Sequence, residues 1–263
     1  MRAAILNTMK MKFSPGAVMI AVYLLAGPLP VARAQEPAPA PAPPTIREEA
    51  PGIYQIGLAH LDQKAMTLTF PGALNMNQGL LEYLIVTPLG STHESLLVTD
   101  APPTDIQFAM LLLGAKGSGI NTPAADQAPP PQIDAKYLKT APRLVGDDIL
   151  IRVKWKAGGE EKAASVEDWL INLQTKKTVN RGPWIYNGSM FSNGHFLAQT
   201  EGSVGALVTN PAALINNPRK GNDDDQIWEV NEKAVPPVNT PVQIIIQLMP
   251  AVAAPPSAPS KKP

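Results

Sequence analysis

The sequence predicts a single α+β domain, a mainly antiparallel β-sheet with two or three short helices. Three observations predict it. Most apolar runs between residues 51 and 250 are of strand length, and several alternate as half-buried strands do. Two of the connections, Pro88-Leu89-Gly90-Ser91 and Asn193-Gly194, read as hairpin turns. Only three stretches show helical spacing or helix-start signals, and no internal repeat is present.

The elements follow in order. Residues 53–60 and 66–70 alternate imperfectly and read as strands. Residues 80–87 and 92–98 flank the Pro-Leu-Gly-Ser turn and read as a hairpin. Residues 103–113 open on Pro103 and stop at Gly114. They are apolar at Ile106, Ala109, Met110 and Leu113, and again at Phe108, Leu111 and Leu112, so a helix buried on most sides is expected. Residues 149–155 alternate cleanly, with Ile149, Ile151, Val153 and Trp155 on one face. Residues 166–174 read as a second helix: Ser165 and Asp168 fit an S-x-x-D cap, and Val166, Trp169, Leu170 and Leu173 make one stripe. Residues 184–191 and 195–199 are strands around Asn193-Gly194, and residues 203–209 form another. Residues 211–215 read as a third helix, with Asn210 as cap and Pro211 as first residue. Residues 242–249 are the last strand.

Outside the domain the chain has a different character. Residues 1–34 read as an export signal: Arg2, Lys10 and Lys12 lead, a short apolar run broken by Gly27, Pro28 and Pro30 follows, and Ala32-Arg33-Ala34 offers a cleavage site. Residues 35–50 begin with a Pro/Ala tract and read as an extended linker. The domain spans residues 51–250 and contains a Gly/Pro-rich loop at 115–146. Residues 251–263 repeat the linker's composition and are expected to be disordered.

Composition narrows the function. The chain contains no cysteine, which excludes disulfides, thiolate metal sites, a lipid-anchored N-terminus and a cysteine nucleophile. It has 22 basic and 22 acidic residues; the first 34 hold four of the basic ones and no acid, so the remainder stands at 18 against 22, a net of −4. That balance leaves no electrostatic footprint for nucleic acid. No second long apolar segment follows the signal, so the mature chain is expected to have no transmembrane helix.

His93-Glu94 is the sharpest local feature. In a two-residue hairpin register Glu94 would share a face with Leu81, Tyr83, Leu96 and Val98, and burial raises a carboxylate's pKa. Glu94 is then either a structural hydrogen-bond or ion-pair partner, or an acid/base. The H-E-x-x-H zinc motif is not met, because Leu97 holds the second histidine's position. No metal site is expected, since His60 and His195 are the only other histidines and nothing in the spacing joins them. Asp223-Asp224-Asp225 lacks the alternating pattern of a calcium loop. Glu201-Gly202-Ser203-Val204-Gly205 lacks the leading glycine of a nucleophile elbow. Trp184 and Tyr186 share a strand face and are candidates for a ligand-stacking platform, with core packing the alternative.

Several motifs form a recognisable set. They are the L-E-Y-L…P-L-G-S-T-H-E-S-L-L-V-T block ahead of the LLLG helix end, Glu167-Asp168-Trp169-Leu170, Gly182-Pro183-Trp184-Ile185-Tyr186-Asn187-Gly188-Ser189, Asn210-Pro211-Ala212-Ala213-Leu214 and Asn217-Pro218-Arg219. As a set they resemble the YdjY-type domain of exported bacterial proteins. The resemblance implies a periplasmic or extracellular location and names no reaction. The family label is also attached to a ferredoxin-like iron–sulfur protein, an activity that a chain without cysteine cannot carry over.

The expectation is an exported, non-catalytic binding or structural module that needs no cofactor and meets an envelope protein or glycan. The alternative is a hydrolase using Glu94 as acid/base with His93 beside it, with or without the assistance of a metal ion.

Overall fold

The computed structural model describes residues 45–118 and 144–250. The expected signal, residues 35–44 of the linker, the tail and most of the Gly/Pro-rich loop lie outside the described residues.

The fold is built from strands. β1 (Ile46–Ala50), β2 (Ile53–Ile56) and β3 (Ala59–Asp62) run as an antiparallel meander into β4 (Thr67–Leu74). β5 (Tyr83–Val86), β6 (Ser95–Val98) and helix α1 (Pro103–Leu112) follow. β7 (Asp147–Ala157) and β8 (Glu160–Ser165) make a hairpin. β9 (Leu170–Asn172) and β10 (Lys177–Thr178) precede β11 (Trp184–Tyr186). A small hairpin, β12 (Phe191–Ser192) and β13 (His195–Phe196), leads into helix α2 (Leu197–Glu201). β14 (Ser203–Ala206), β15 (Ile215–Asn216), β16 (Trp228–Val230) and β17 (Pro241–Leu248) complete the chain.

Eight of these strands close into a barrel in the order β4-β17-β7-β11-β15-β14-β5-β6, with β6 returning to β4. Two ring pairings, β5 with β6 and β14 with β15, are parallel. Closure follows from two long strands that each serve two neighbours on one side. β4 pairs with β3 at Thr67–Thr69 and with β6 at Ala73 and Leu74. β7 pairs with β11 at its start and with β8 from Arg152 onward. One part of each long strand therefore enters the ring, while the other carries the β1–β3 extension or β8. A closed ring leaves no unpaired edge of its own.

The core is laid down by alternation. Val242, Ile244, Ile246 and Leu248 of β17 are buried. Ile244 stands between Phe70 and Val153, and Ile246 between Leu68 and Ile151. Each such side chain contributes about 1.5–3 kcal/mol of transfer free energy against the entropy of ordering the chain. A single buried cluster joins these rows to α1 and to Trp169 and Trp228, which belong to a small sheet ordered β10-β9-β16 and its entry turn.

The expected α+β class is therefore corrected. The described residues are mostly β, at 42% strand and 12% helical, and contain two α-helices and a closed eight-stranded barrel. Helix α1 and its left-handed stop at Gly114 (φ 91°) are present. Its expected all-round burial is not: Ile106, Ala109 and Met110 face the core, while Phe108, Leu111 and Leu112 are 42%, 50% and 41% exposed. A helix lying on the outside of a sheet has only one side to bury, and α1 packs on β2, β3 and β4.

The second expected helix is a single 3-10 turn, Val166–Trp169, followed by strand β9. The anticipated S-x-x-D capping box does form, with Asp168 Oδ2 accepting the Ser165 N–H at 3.2 Å. Pairing of β9 with both β10 and β16 then wins over helix propensity. The third is a turn. Asn210 Oδ1 accepts the Ala212 N–H at 2.9 Å, but Ile215 and Asn216 are claimed by the barrel. Residues 195–199, expected as a strand, form β13 and α2. Ile46–Ala50, placed in the linker by the sequence, is the first strand.

Candidate functional site

A cleft of about 380 Å³ opens beside β5 and β14, lined by Tyr83, Leu89, Gly90, Ser91, His93, Glu201 and Ser203. Two loops form it, and two glycines let them meet. The Thr87 N–H bonds Gly202 O at 2.8 Å. A Cβ on Gly90 would lie 2.9 Å from Gly202 O, and a Cβ on Gly202 would lie 2.6 Å from Gly90 N. Gly202 also sits at φ 65°, where it ends α2 and turns the chain into β14. This close approach sets Ser91 and His93 on one wall and Glu201 and Ser203 on the other.

The expected hairpin at residues 80–98 is overturned here. β5 and β6 are parallel neighbours, with Tyr83 opposite Ser95 and Val86 opposite Val98. Parallel strands ordinarily need a crossover of a dozen or more residues. With strands only four residues long, the return spans about 13 Å at 3.3 Å per residue, and residues 87–94 cover it. Thr92–Glu94 is a 3-10 turn in that return, so Glu94 is not held among strand side chains. His93 is 79% and Glu94 25% side-chain exposed, with Nε2 and Oε2 3.7 Å apart.

The electrostatics of the cleft are one-sided. Tyr83 is pushed above its ordinary pKa first by burial; the Asn210 hydrogen bond opposes this, and Glu82, Glu94 and Glu201 add to it. Glu82 is raised by burial, then by Glu94 and Asp225, with His93 lowering it. Among the described residues, no lysine or arginine lines the cleft. Among the described residues, no three Asp, Glu or His side chains converge closely enough to hold a metal ion. Ser203 is 1% exposed, and its Oγ has no hydrogen-bond partner among the described residues.

Trp184 and Tyr186 are not a surface platform, because both are fully buried. Trp184 Nε1 donates to Glu167 Oε1 at 2.9 Å, and Tyr186 OH donates to Gln107 Oε1. Burial pushes the Tyr186 phenol far above its ordinary pKa. The fold buries a carboxylate of the kind sought at Glu94 elsewhere, at Glu167. It accepts from Arg219 Nη2 at 2.7 Å, from Ser165 Oγ and from Trp184.

The remaining polar motif residues belong to the same interior. Asn216 Nδ2 donates to Asn187 Oδ1 at 2.8 Å and to Asn210 O at 2.9 Å, while its Oδ1 accepts the Asn210 N–H at 2.7 Å. Asn187 Nδ2 reaches Ala213 O, Ser189 Oγ reaches Ala212 O, and Asn217 Nδ2 reaches Leu207 O. These bonds satisfy the backbone of the long irregular segment between β14 and β16.

Sequence reasoning found His93 and missed Tyr83, Glu201 and Ser203. The signal at Ser203 was present as Glu201-Gly202-Ser203-Val204-Gly205, but a strand in place of a helix after the serine matches no catalytic motif. A family model described as the YdjY domain matches residues 59–247. No curated protein and no solved structure matches the chain.

Proposed function

Because the chain belongs to the YdjY domain family, we propose that it is an exported binding module whose ligand seat is the cleft between Ser91, His93, Glu201 and Ser203. One observation carries this. The motif residues fall into two groups. Glu167, Trp184, Asn187, Ser189, Asn210, Asn217 and Arg219 are spent on holding the interior together. Tyr83, Gly90, Ser91 and His93, from the other block, line a cleft that a small polar group can enter.

The barrel interior is filled with side chains, so a ligand must be met from outside. Export is supported by the basic leader, the short apolar run and the Ala-x-Ala site. Among the described residues no helix is long and apolar enough to cross a membrane. The ligand is an envelope glycan or a small group displayed by an envelope protein.

Two measurements test the proposal. Mass spectrometry of the protein from the envelope or the medium should give a chain beginning at Gln35; full-length chain in the cytoplasm alone would remove the export claim. Amide chemical-shift mapping with solubilised envelope glycans should light up residues 83, 91, 93, 201 and 203.

A hydrolase reading draws on one observation, that His93 lies at a cleft floored by a buried serine, with Glu94 3.7 Å from the ring. Turnover of nitrophenyl esters or glycosides that disappears in His93→Ala and Glu94→Gln would favour it. No turnover above buffer would leave the binding module.

A further inference from the structure

We propose that the cleft takes a small ligand carrying a protonated amine beside hydroxyl groups, the shared chemistry of an amino sugar and an amino-alcohol headgroup. The inference rests on the cleft being the ligand seat.

Tyr83 stands among carboxylates. Glu201 lines the cleft, and Glu82 and Glu94 are close enough to act on the Tyr83 phenol. Asp225 stands within reach of Glu82. Among the described residues, His93 is the single basic residue that lines the cleft, and its side chain is 79% exposed to water. An anionic ligand would meet the like charge of Glu201 at the cleft and of Glu82 and Glu94 near Tyr83, while an ammonium would be attracted. The carboxylates do not converge as a metal site would require. The cleft's volume of about 380 Å³ suits a cation carried on an organic body.

Ser203 Oγ is a buried hydroxyl on the cleft's floor with no partner among the described residues. Leaving such a group unpaired is unfavourable, so the site has an unmet hydrogen bond to offer. A ligand hydroxyl or ammonium reaching that floor supplies the missing partner. Ser91 offers a second hydroxyl on the wall. Tyr83 and the 75%-exposed Leu89 give apolar surface for the carbon face of a ring, and the Tyr83 ring also suits a cation.

The experiment is an NMR titration of the mature chain with four probes: glucosamine, ethanolamine, glucose and glucuronate. Glucosamine or ethanolamine is expected to shift the amides of Tyr83, Ser91, Glu201 and Ser203 at lower concentration than glucose, and glucuronate to leave them unmoved. The tighter of the two amines identifies the source as sugar or headgroup. Glu201→Gln should weaken the amine by roughly two- to fivefold, the range of an exposed ion pair, with glucose unaffected. Glucose or glucuronate binding as tightly as the amines would overturn the cationic assignment and leave the cleft as a ligand seat. If no probe moves these amides while the envelope glycans do, the amine chemistry is wrong. If neither does, the seat itself is wrong.

Discussion

Arg219 Nη2 lies 2.7 Å from Glu167 Oε1, with the two side chains 16% and 2% exposed. The guanidinium also sits 4.9 Å from the centre of the Trp184 ring. Burial pulls the Arg219 pKa down, and the Glu167 charge opposes that pull. The pair joins the turn after β8 to the loop after β15, two segments far apart in sequence. Glu167→Ala would leave a buried cation, the Trp184 N–H and the Ser165 hydroxyl without their acceptor. The expected loss is about 3–5 kcal/mol, read as a lower urea midpoint. Replacing Glu167 and Arg219 together by Gln and Met should cost less than the sum of the single changes.

Gly202 is the hinge of the cleft. Alanine there would take on a left-handed backbone at φ 65° and bring its Cβ within 2.6 Å of Gly90 N. The first effect alone costs about 1–2 kcal/mol. The second must push the Thr87–Ser91 turn away from β14. Gly202→Ala should therefore lower stability by more than about 1 kcal/mol and also weaken any ligand held by the cleft. Gly194→Ala is the control: Gly194 also has positive φ (78°), but a Cβ there would meet nothing within 4 Å. It should lose stability and leave the cleft's binding intact.

Glu82 gives the pH dependence a definite sign. Its pKa is raised above the ordinary 4.5, first by burial and then by Glu94 and Asp225. A carboxyl whose folded pKa is raised binds its proton more tightly in the folded state. Its contribution is therefore fully present below about 4.5, the unfolded value, and is lost as pH rises through the folded pKa. Glu82→Gln keeps the neutral form at every pH. Relative to the native chain, this variant should gain stability between pH 4 and pH 7. Urea midpoints at the two pH values check it; a constant difference would mean that Glu82 does not carry the effect.

What sequence could and could not reveal divides along sequence distance. Alternation in β7 and β17, the α1 boundaries and the Asn193-Gly194 turn are local signals, and each forms where the pattern lies. The barrel is non-local. Its closing contact joins Ala73 and Leu74 to Val98 and Leu97, and no periodicity encodes that pairing. The parallel β5–β6 pair was hidden for a related reason: a Pro-x-Gly turn looks the same at the start of a short crossover as at the tip of a hairpin. With that register wrong, Glu94 was sought in the core, and Glu167, the buried carboxylate that meets Arg219, was read as part of a helix start. Of the cleft, His93 was legible because histidine carries its chemistry in its identity. Ser203 was not, because a serine entering a strand has no distinguishing neighbours until Gly202 and Gly90 bring the other wall beside it.

Ser203 separates a structural role from a ligand-binding one. A buried hydroxyl that supports the fold makes a bond, and its removal costs stability. The Ser203 hydroxyl makes none among the described residues, although the residue is 1% exposed. Its neighbours are held by other means: β14 pairs with β5 and β15, and Thr87 N–H bonds Gly202 O. Ser203→Ala removes one oxygen and relieves an unpaired polar group, so stability should stay within about 0.5 kcal/mol of the native chain or rise. Ser203→Val keeps the shape apolar but adds a methyl to a closely packed floor, and should cost about 1–3 kcal/mol. Thermal unfolding of both variants, set beside ligand titration of the alanine variant, gives the decision. Unchanged stability with weakened binding assigns the hydroxyl to the ligand. A loss of 2 kcal/mol or more in Ser203→Ala, of the order expected for a deleted buried hydrogen bond, would mean that the hydroxyl has a structural partner and that the cleft floor is part of the fold alone.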